Sequence, residues 1–126
     1  MTGVQTCALP IFTVKVKGRR LTEYLREHHA DLLPRLRLIK VDAEGFDLAV
    51  LETLEALITE YRPYLRVEMF SLKRSLPGYR ERLLDFLTQH RYEVRKYEGA
   101  ALGKGTLITR ENLAEWNAYD VVCLPH

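Results

Sequence analysis

The chain has 126 residues, room for one domain, and its 47% hydrophobic and 29% charged residues strike an ordinary globular balance. Lys and Arg total 19 against 17 Asp and Glu, a formal net charge of +2 with no dominant basic run, which argues against a nucleic-acid binder. Two cysteines make neither a disulfide scaffold nor a zinc site, and no run of about 18 apolar residues exists to span a membrane, so a compact, soluble, cytoplasmic domain is expected.

Residues 1–11 read MTGVQTCALPI, without charge or usable periodicity. No basic n-region precedes the short apolar run, so this is not a secretory signal. Thr2 to Ile11 resembles the conceptual translation of a sequencing-adapter oligonucleotide, with a GTG start codon supplying Met1. The alternative is a genuine unstructured N-terminus. On the adapter reading, Cys7 and Pro10 carry no biological meaning and Cys123 is the only native thiol. Residues 12–126 are then the C-terminal portion of a protein that continued upstream.

Phe12 to Lys17 alternates apolar Phe12, Val14 and Val16 with Thr13, Lys15 and Lys17, the period of a half-buried strand. Leu21, Tyr24, Leu25 and His28 recur at helical spacing and predict a short amphipathic helix. Pro34 separates it from Leu36 to Asp42, an apolar strand of the kind covered on both faces in parallel sheets. From Phe46 to Tyr61 the period changes: Leu48, Leu51, Leu54, Leu57, Ile58 and Tyr61 form one helical stripe. Pro63 ends that helix and Tyr64 to Phe70 resumes strand character. Strand, helix and strand make a βαβ unit, whose two strands are parallel.

Pro77 and Gly78 mark a turn before a second amphipathic helix, Tyr79 to His90. Tyr92 to Tyr97 reads as a strand. The stretch from Gly99 to Gly105 reads as a flexible loop, since it lacks Walker spacing. Thr109 to Trp116 predicts a capped helical turn, and Tyr119 to Leu124 a final strand. The alternation of strands and helices predicts an α/β fold.

Ligands of open α/β sheets bind beyond the carboxyl ends of the strands. Two strands here end in acids, Asp42 and Glu44 in IKVDAEG and Glu68 in LRVEMF. Parallel neighbours would bring all three to one sheet edge. Gly45 follows Glu44 where the strand must turn sharply and a side chain would crowd a ligand. Lys40, inside a covered strand, needs a carboxylate partner such as Asp42 or Glu68. The structural alternative is equally open on spacing alone: Glu44 and Asp47 as charges favourable to a helix N-terminus, and Lys40 with Glu68 as a pair fixing strand register.

LIKVDAEGFDLAVLETL, then RPYLRVEMF, then YDVVCLP resemble the C-terminal half of the FkbM-type S-adenosylmethionine-dependent methyltransferases. The K-x-D-x-E-G signature of that family is matched by Lys40, Asp42, Glu44 and Gly45, the Arg-Pro pair by Arg62 and Pro63, and the strand-ending glutamate by Glu68. The resemblance runs from about Phe12 to Pro125. It implies the C-terminal part of a Rossmann-like class I sheet, mostly parallel, with helices on both faces. It also implies methylation of a sugar or natural-product hydroxyl, the acceptor being a small molecule or glycan. Asp42 and Glu44 are then the catalytic carboxylates, Asp42 and Gly45 the cofactor contacts, and Lys40 and Glu68 supports; no metal is required. The main S-adenosylmethionine motif, a glycine-rich loop after the first strand, is absent from these residues.

Two rivals remain. The D-x-E at a strand end also resembles the first metal-binding motif of DEDD-type exonucleases, although that motif runs into a further strand. A catalytically silent binding module is the other. The remaining residues favour plain structural roles: His28, His29 and His90 at helix ends, Trp116 and Tyr119 packed against the last strand, Cys123 buried in it.

Overall fold

The structure, a computed structural model, describes residues 13–99 and 103–126. Residues 1–12 and 100–102 lie outside it, and with them the adapter-like segment, Cys7, Phe12 and the centre of the glycine-bearing loop. In chain order the elements are α1 (Leu21–His28), a 3-10 turn at Leu33–Arg35, β1 (Leu38–Val41), α2 (Asp47–Thr53), α3 (Glu55–Tyr61), β2 (Tyr64–Met69), α4 (Tyr79–Gln89), β3 (Tyr92–Lys96) and β4 (Tyr119–Pro125).

The four strands form one sheet in the order β1-β2-β4-β3. β1 and β2 are parallel, with Leu38 opposite Tyr64 and Val41 opposite Val67. β4 runs antiparallel to both neighbours, pairing Val67 with Val121 on one side and Val94 with Cys123 on the other. The sheet is therefore mixed, which corrects the expectation of a mostly parallel one. A parallel return needs a crossover of a dozen or more residues, usually a helix. Between β3 and β4, Thr109 to Trp116 forms turns and no helix, correcting that expectation too.

Coverage of the sheet is also one-sided. Leu65, Val67, Met69, Val94, Val121 and Cys123 are buried on one face, where they meet Leu51, Leu57, Ile58, Leu83 and Leu87 from α2, α3 and α4. The opposite face carries Lys40, Arg66, Glu68, Asp120, Glu93 and Arg95, none of them buried. Among the described residues no helix covers that face, so the expected helices on both faces reduce to helices on one. β1 shows the same asymmetry: Val41 is buried while Leu38 is 55% exposed.

Two further expectations change. Thr13 to Lys17 forms no strand, and Val14 and Val16 are exposed. The predicted helix Phe46 to Tyr61 breaks at Leu54 into α2 and α3. Thr53 explains the break. Its hydroxyl bonds back to the Val50 carbonyl at 2.7 Å, a habit that bends helices. Its own carbonyl turns out to accept from Thr22 Oγ1 of α1, also at 2.7 Å.

The Arg-Pro pair closes α3. Arg62 adopts the left-handed conformation (φ 50°) that usually ends a helix on glycine. Its guanidinium donates to the His90 and Arg91 carbonyls and lies 4.6 Å from the Tyr92 ring centroid. Tyr92 Oη in turn donates to Pro63 O at 2.7 Å. These contacts tie the start of β2 to the start of β3 on the far side of β4, and so fix where β2 ends at the opposite rim.

Candidate active site

Parallel pairing with Val41 opposite Val67 puts the next residue of each strand, Asp42 and Glu68, at one sheet edge. β4 starts at the same edge, with Asp120 opposite Glu68. Three carboxylates thus sit side by side where the sheet ends, and Glu44 follows in the turn after β1. The structure brings together Asp42, Glu44 and Glu68 as the sequence suggests, and adds Asp120.

Neighbouring cations neutralise two of these groups. Lys40 Nζ lies 3.1 Å from Asp42 Oδ2, with both side chains about half exposed. Arg66 donates from Nε and Nη2 to Asp120 Oδ2 at 2.9 and 2.6 Å, while its guanidinium stacks 4.2 Å from the Tyr97 ring centroid. Lys40 is therefore not enclosed in a covered strand. It makes a surface pair with Asp42 rather than a buried pair with Glu68, because β1 is the edge strand and its outward face is open.

Among the three strand-end carboxylates, Glu68 is the one left without a cation. Its Oε2 is buried without a hydrogen-bond partner among the described residues. Burial, and then the nearby Glu44, Asp47, Asp42 and Asp120 carboxylates, push its pKa above the ordinary glutamate range. A carboxyl that resists ionisation is the environment from which acid-base roles are built.

The turn after β1 is held from within. Asp47 is fully buried and accepts the Ala43 N–H at 3.3 Å and the Gly45 N–H at 3.2 Å. It is thus a pin for the Asp42–Gly45 turn, more than a favourable charge at the start of α2. Glu44 takes φ 50° and Gly45 φ 95°; left-handed backbone at a non-glycine residue is a conformation that functional sites hold against strain. A Cβ on Gly45 would stand 3.0 Å from the Phe70 ring. The demand for glycine is therefore set by the fold's own aromatic as well as by the backbone angle.

One residue outside the sequence expectations fixes the other wall. Arg80, 1% exposed, donates to the Met69 and Phe70 carbonyls at the end of β2 and to Leu113, Trp116 and Asn117 across the loop before β4. Burial lowers its pKa. The signal was present: Arg80 shares a stripe with Leu83, Leu84 and Leu87, and an arginine on a core stripe must find acceptors there.

A cavity of about 180 Å³ opens between the Glu44–Phe46 turn and the Phe70–Tyr79 connection. A second, of about 340 Å³, lies on the open sheet face against Leu38, Tyr64, Arg66, Tyr97 and Val122. Leu38 and Tyr64 are the first residues of their strands, so this larger hollow reaches toward the end opposite the acidic rim.

The family model described as the methyltransferase FkbM domain matches residues 8–94, well over half of the chain. The chain belongs to the FkbM methyltransferase family. No curated protein and no solved structure matches it. The FkbM match begins within the last residues of the adapter-like segment and ends in β3, so β4 lies beyond it. It takes in the whole K-x-D-x-E-G turn and Glu68. The DEDD-type alternative expects a strand after the D-x-E, and the FkbM chain forms α2 there.

Proposed function

We propose that residues 12–126 are the C-terminal portion of an S-adenosylmethionine-dependent methyltransferase domain that methylates a hydroxyl oxygen of a small-molecule or glycan acceptor, a sugar or a natural-product scaffold. The observation that carries this reading is the parallel register of β1 and β2, which sets Asp42 beside Glu68 at the edge where β1 runs into the Glu44–Gly45 turn. The carboxylates of Asp42 and Glu44 suit a sulfonium cation, and Gly45 lets the turn sit close to Phe70. When bound, the cofactor supplies a methyl group on an electrophilic sulfur.

The chain's own residues supply the rest. Asp42 accepts the proton, or the hydrogen bond, of the acceptor hydroxyl and aims its oxygen lone pair. Lys40, 3.1 Å away, holds that carboxylate in place. Glu44 borders the acceptor and Glu68 supports the rim from β2. Asp47 and Arg80 fix the two walls.

Upstream strands are part of this proposal. β1 ends the sheet, with no strand on its outer edge among the described residues and with Leu38 exposed beside it. An apolar, unpaired edge is a place where another strand belongs. No G-x-G-x-x-G occurs in the 126 residues, so calorimetric titration of this chain alone with S-adenosylmethionine should show no micromolar binding. In the full-length parent, Asp42→Ala and Glu44→Gln should each cut turnover, Asp42→Ala by about 10²–10⁴-fold, with the fold intact. Wild-type rates in both variants would refute the assignment.

A further inference from the structure

The larger cavity, about 340 Å³, lies on the open face of the sheet and reaches toward the end opposite the acidic rim. Its floor is Val122 of β4, which is buried, with Leu38 of β1, 55% exposed, at its side. Tyr64 and Tyr97, each 38% exposed, form the walls, and Arg37 and Arg66 complete the lining. Large hydrophobic side chains left open around one hollow form the kind of patch that marks a binding site. The volume sits at the lower end of the roughly 300–1,000 Å³ that takes small organic ligands.

Both walls are held from within the fold. The Tyr64 N–H donates to the Arg37 carbonyl at 2.8 Å, which joins the first residue of β2 to the residue before β1. On the other side the Tyr97 N–H donates to the Asp120 carbonyl at 2.8 Å. The Tyr97 ring centroid lies 4.2 Å from the Arg66 guanidinium, which is itself bound to the Asp120 carboxylate. Walls fixed before a ligand arrives lower the entropic cost of binding it.

Charge selects the ligand. Among the described residues no carboxylate lines the hollow. Asp120 neutralises Arg66, but Arg37 keeps its charge unpaired: its Nη1 donates to the Pro34 carbonyl at 3.2 Å, and it forms no ion pair among the described residues. A cation beside aromatic and aliphatic walls complements a flat apolar ring that carries a negative group. A strand added along β1 would extend the sheet in its own plane, so the upstream strands proposed above do not fill this hollow.

We propose that the hollow binds an aromatic anion, its ring lying over Val122 and Leu38 between Tyr64 and Tyr97 and its carboxylate or like group meeting the Arg37 guanidinium. The site is separate from the acidic rim and does not rest on the methyl-transfer reading.

The test titrates the 126-residue chain by amide-shift NMR with β-naphthoate, with β-naphthamide (the same ring without the charge) and with acetate (the charge without the ring). Naphthoate should shift the amides of Arg37, Leu38, Tyr64, Arg66, Tyr97 and Val122. It should bind about tenfold more tightly than naphthamide, the scale of one charge-assisted hydrogen bond at an exposed position; acetate should shift none of these amides. Arg37→Gln should bring naphthoate down to the naphthamide level, and Tyr97→Ala should weaken both ring compounds. Arg37 is exposed, so Arg37→Gln should melt where the native chain does. Equal affinity for naphthoate and naphthamide, naphthoate shifts confined to other residues, an unaltered preference in Arg37→Gln, or no naphthoate binding at millimolar concentration would each overturn the proposal. So would shifts of the same amides on concentrating the chain alone, which would assign the face to a second copy of it.

Discussion

Asp47 offers the sharpest test of how the acidic turn is built. Its buried carboxylate accepts two backbone N–H groups, from Ala43 and Gly45, at 3.3 and 3.2 Å. Asparagine in its place keeps one accepting oxygen and turns an NH₂ toward the other donor; alanine removes both acceptors. A buried donor left unpaired costs about 1–3 kcal/mol, and bonds this long belong in the lower half of that range. The expected losses are therefore about 1–1.5 kcal/mol for Asp47→Asn and about 2–3 kcal/mol for Asp47→Ala. With a urea m-value of about 2 kcal/mol/M for a chain of this size, the alanine variant should unfold about 1 M earlier. Amide exchange gives the local readout, since the Ala43 and Gly45 protons should lose protection first. Glu23→Gln is the control. Glu23 also lies in the first turn of a helix, but is exposed and makes no such bond. If Asp47 acted through the helix dipole alone, both variants would shift alike and the protection of residues 43 and 45 would not change. That result would refute the pin.

Three further predictions concern groups around the same rim. Arg80→Lys replaces a planar fork that reaches five carbonyls with three donors on a point charge; a loss of about 2–4 kcal/mol should follow, read as a melting midpoint lower by roughly 10 °C. Glu68 has a folded-state pKa raised by burial and by its acidic neighbours, so its stability contribution is complete below the ordinary glutamate pKa and is lost as pH rises through the raised value. Glu68→Gln should consequently melt higher than the native chain at pH 7, with the gap closing toward acid pH; a gap that widens on acidification would contradict this. Cys123 is fully buried, and burial pushes its thiol pKa up. In a Cys7→Ser background it should ignore an aromatic disulfide reagent until denaturant is added.

Local structure was legible where strong punctuation bounded it. The expected strands at Tyr64, Tyr92 and Tyr119 all begin where the structure begins them, each following a proline, a helix end or a run of turn residues. Strand direction was not legible, because direction depends on what lies between the strands. The βαβ rule governs β1 and β2, which are joined through α2 and α3. It does not govern β4, which arrives from turns and inserts between β2 and β3. Phe12 to Lys17 shows the limit of periodicity: alternation describes a face, but a strand also needs a neighbour to bond, and Val14 and Val16 remain exposed. One-sided coverage could have been read from Tyr64 to Met69, where Arg66 and Glu68 alternate with Leu65, Val67 and Met69. Such alternation is the habit of a sheet with one face open, and the apolar run at Leu36 to Val41 outweighed it.

At the rim, the letters that announce themselves are the ones chemistry uses, whereas the groups that hold them act through backbone. Asp42, Glu44, Gly45 and Glu68 form a spaced pattern in the sequence; Asp47 and Arg80 bond main-chain atoms that carry no signature of their own. The start of α4 makes the contrast concrete. Arg80 places every guanidinium nitrogen on a carbonyl. The first turn of α4 thus clamps the loop before β4 to the end of β2, and the rim keeps its shape through main-chain bonds that no sequence pattern records.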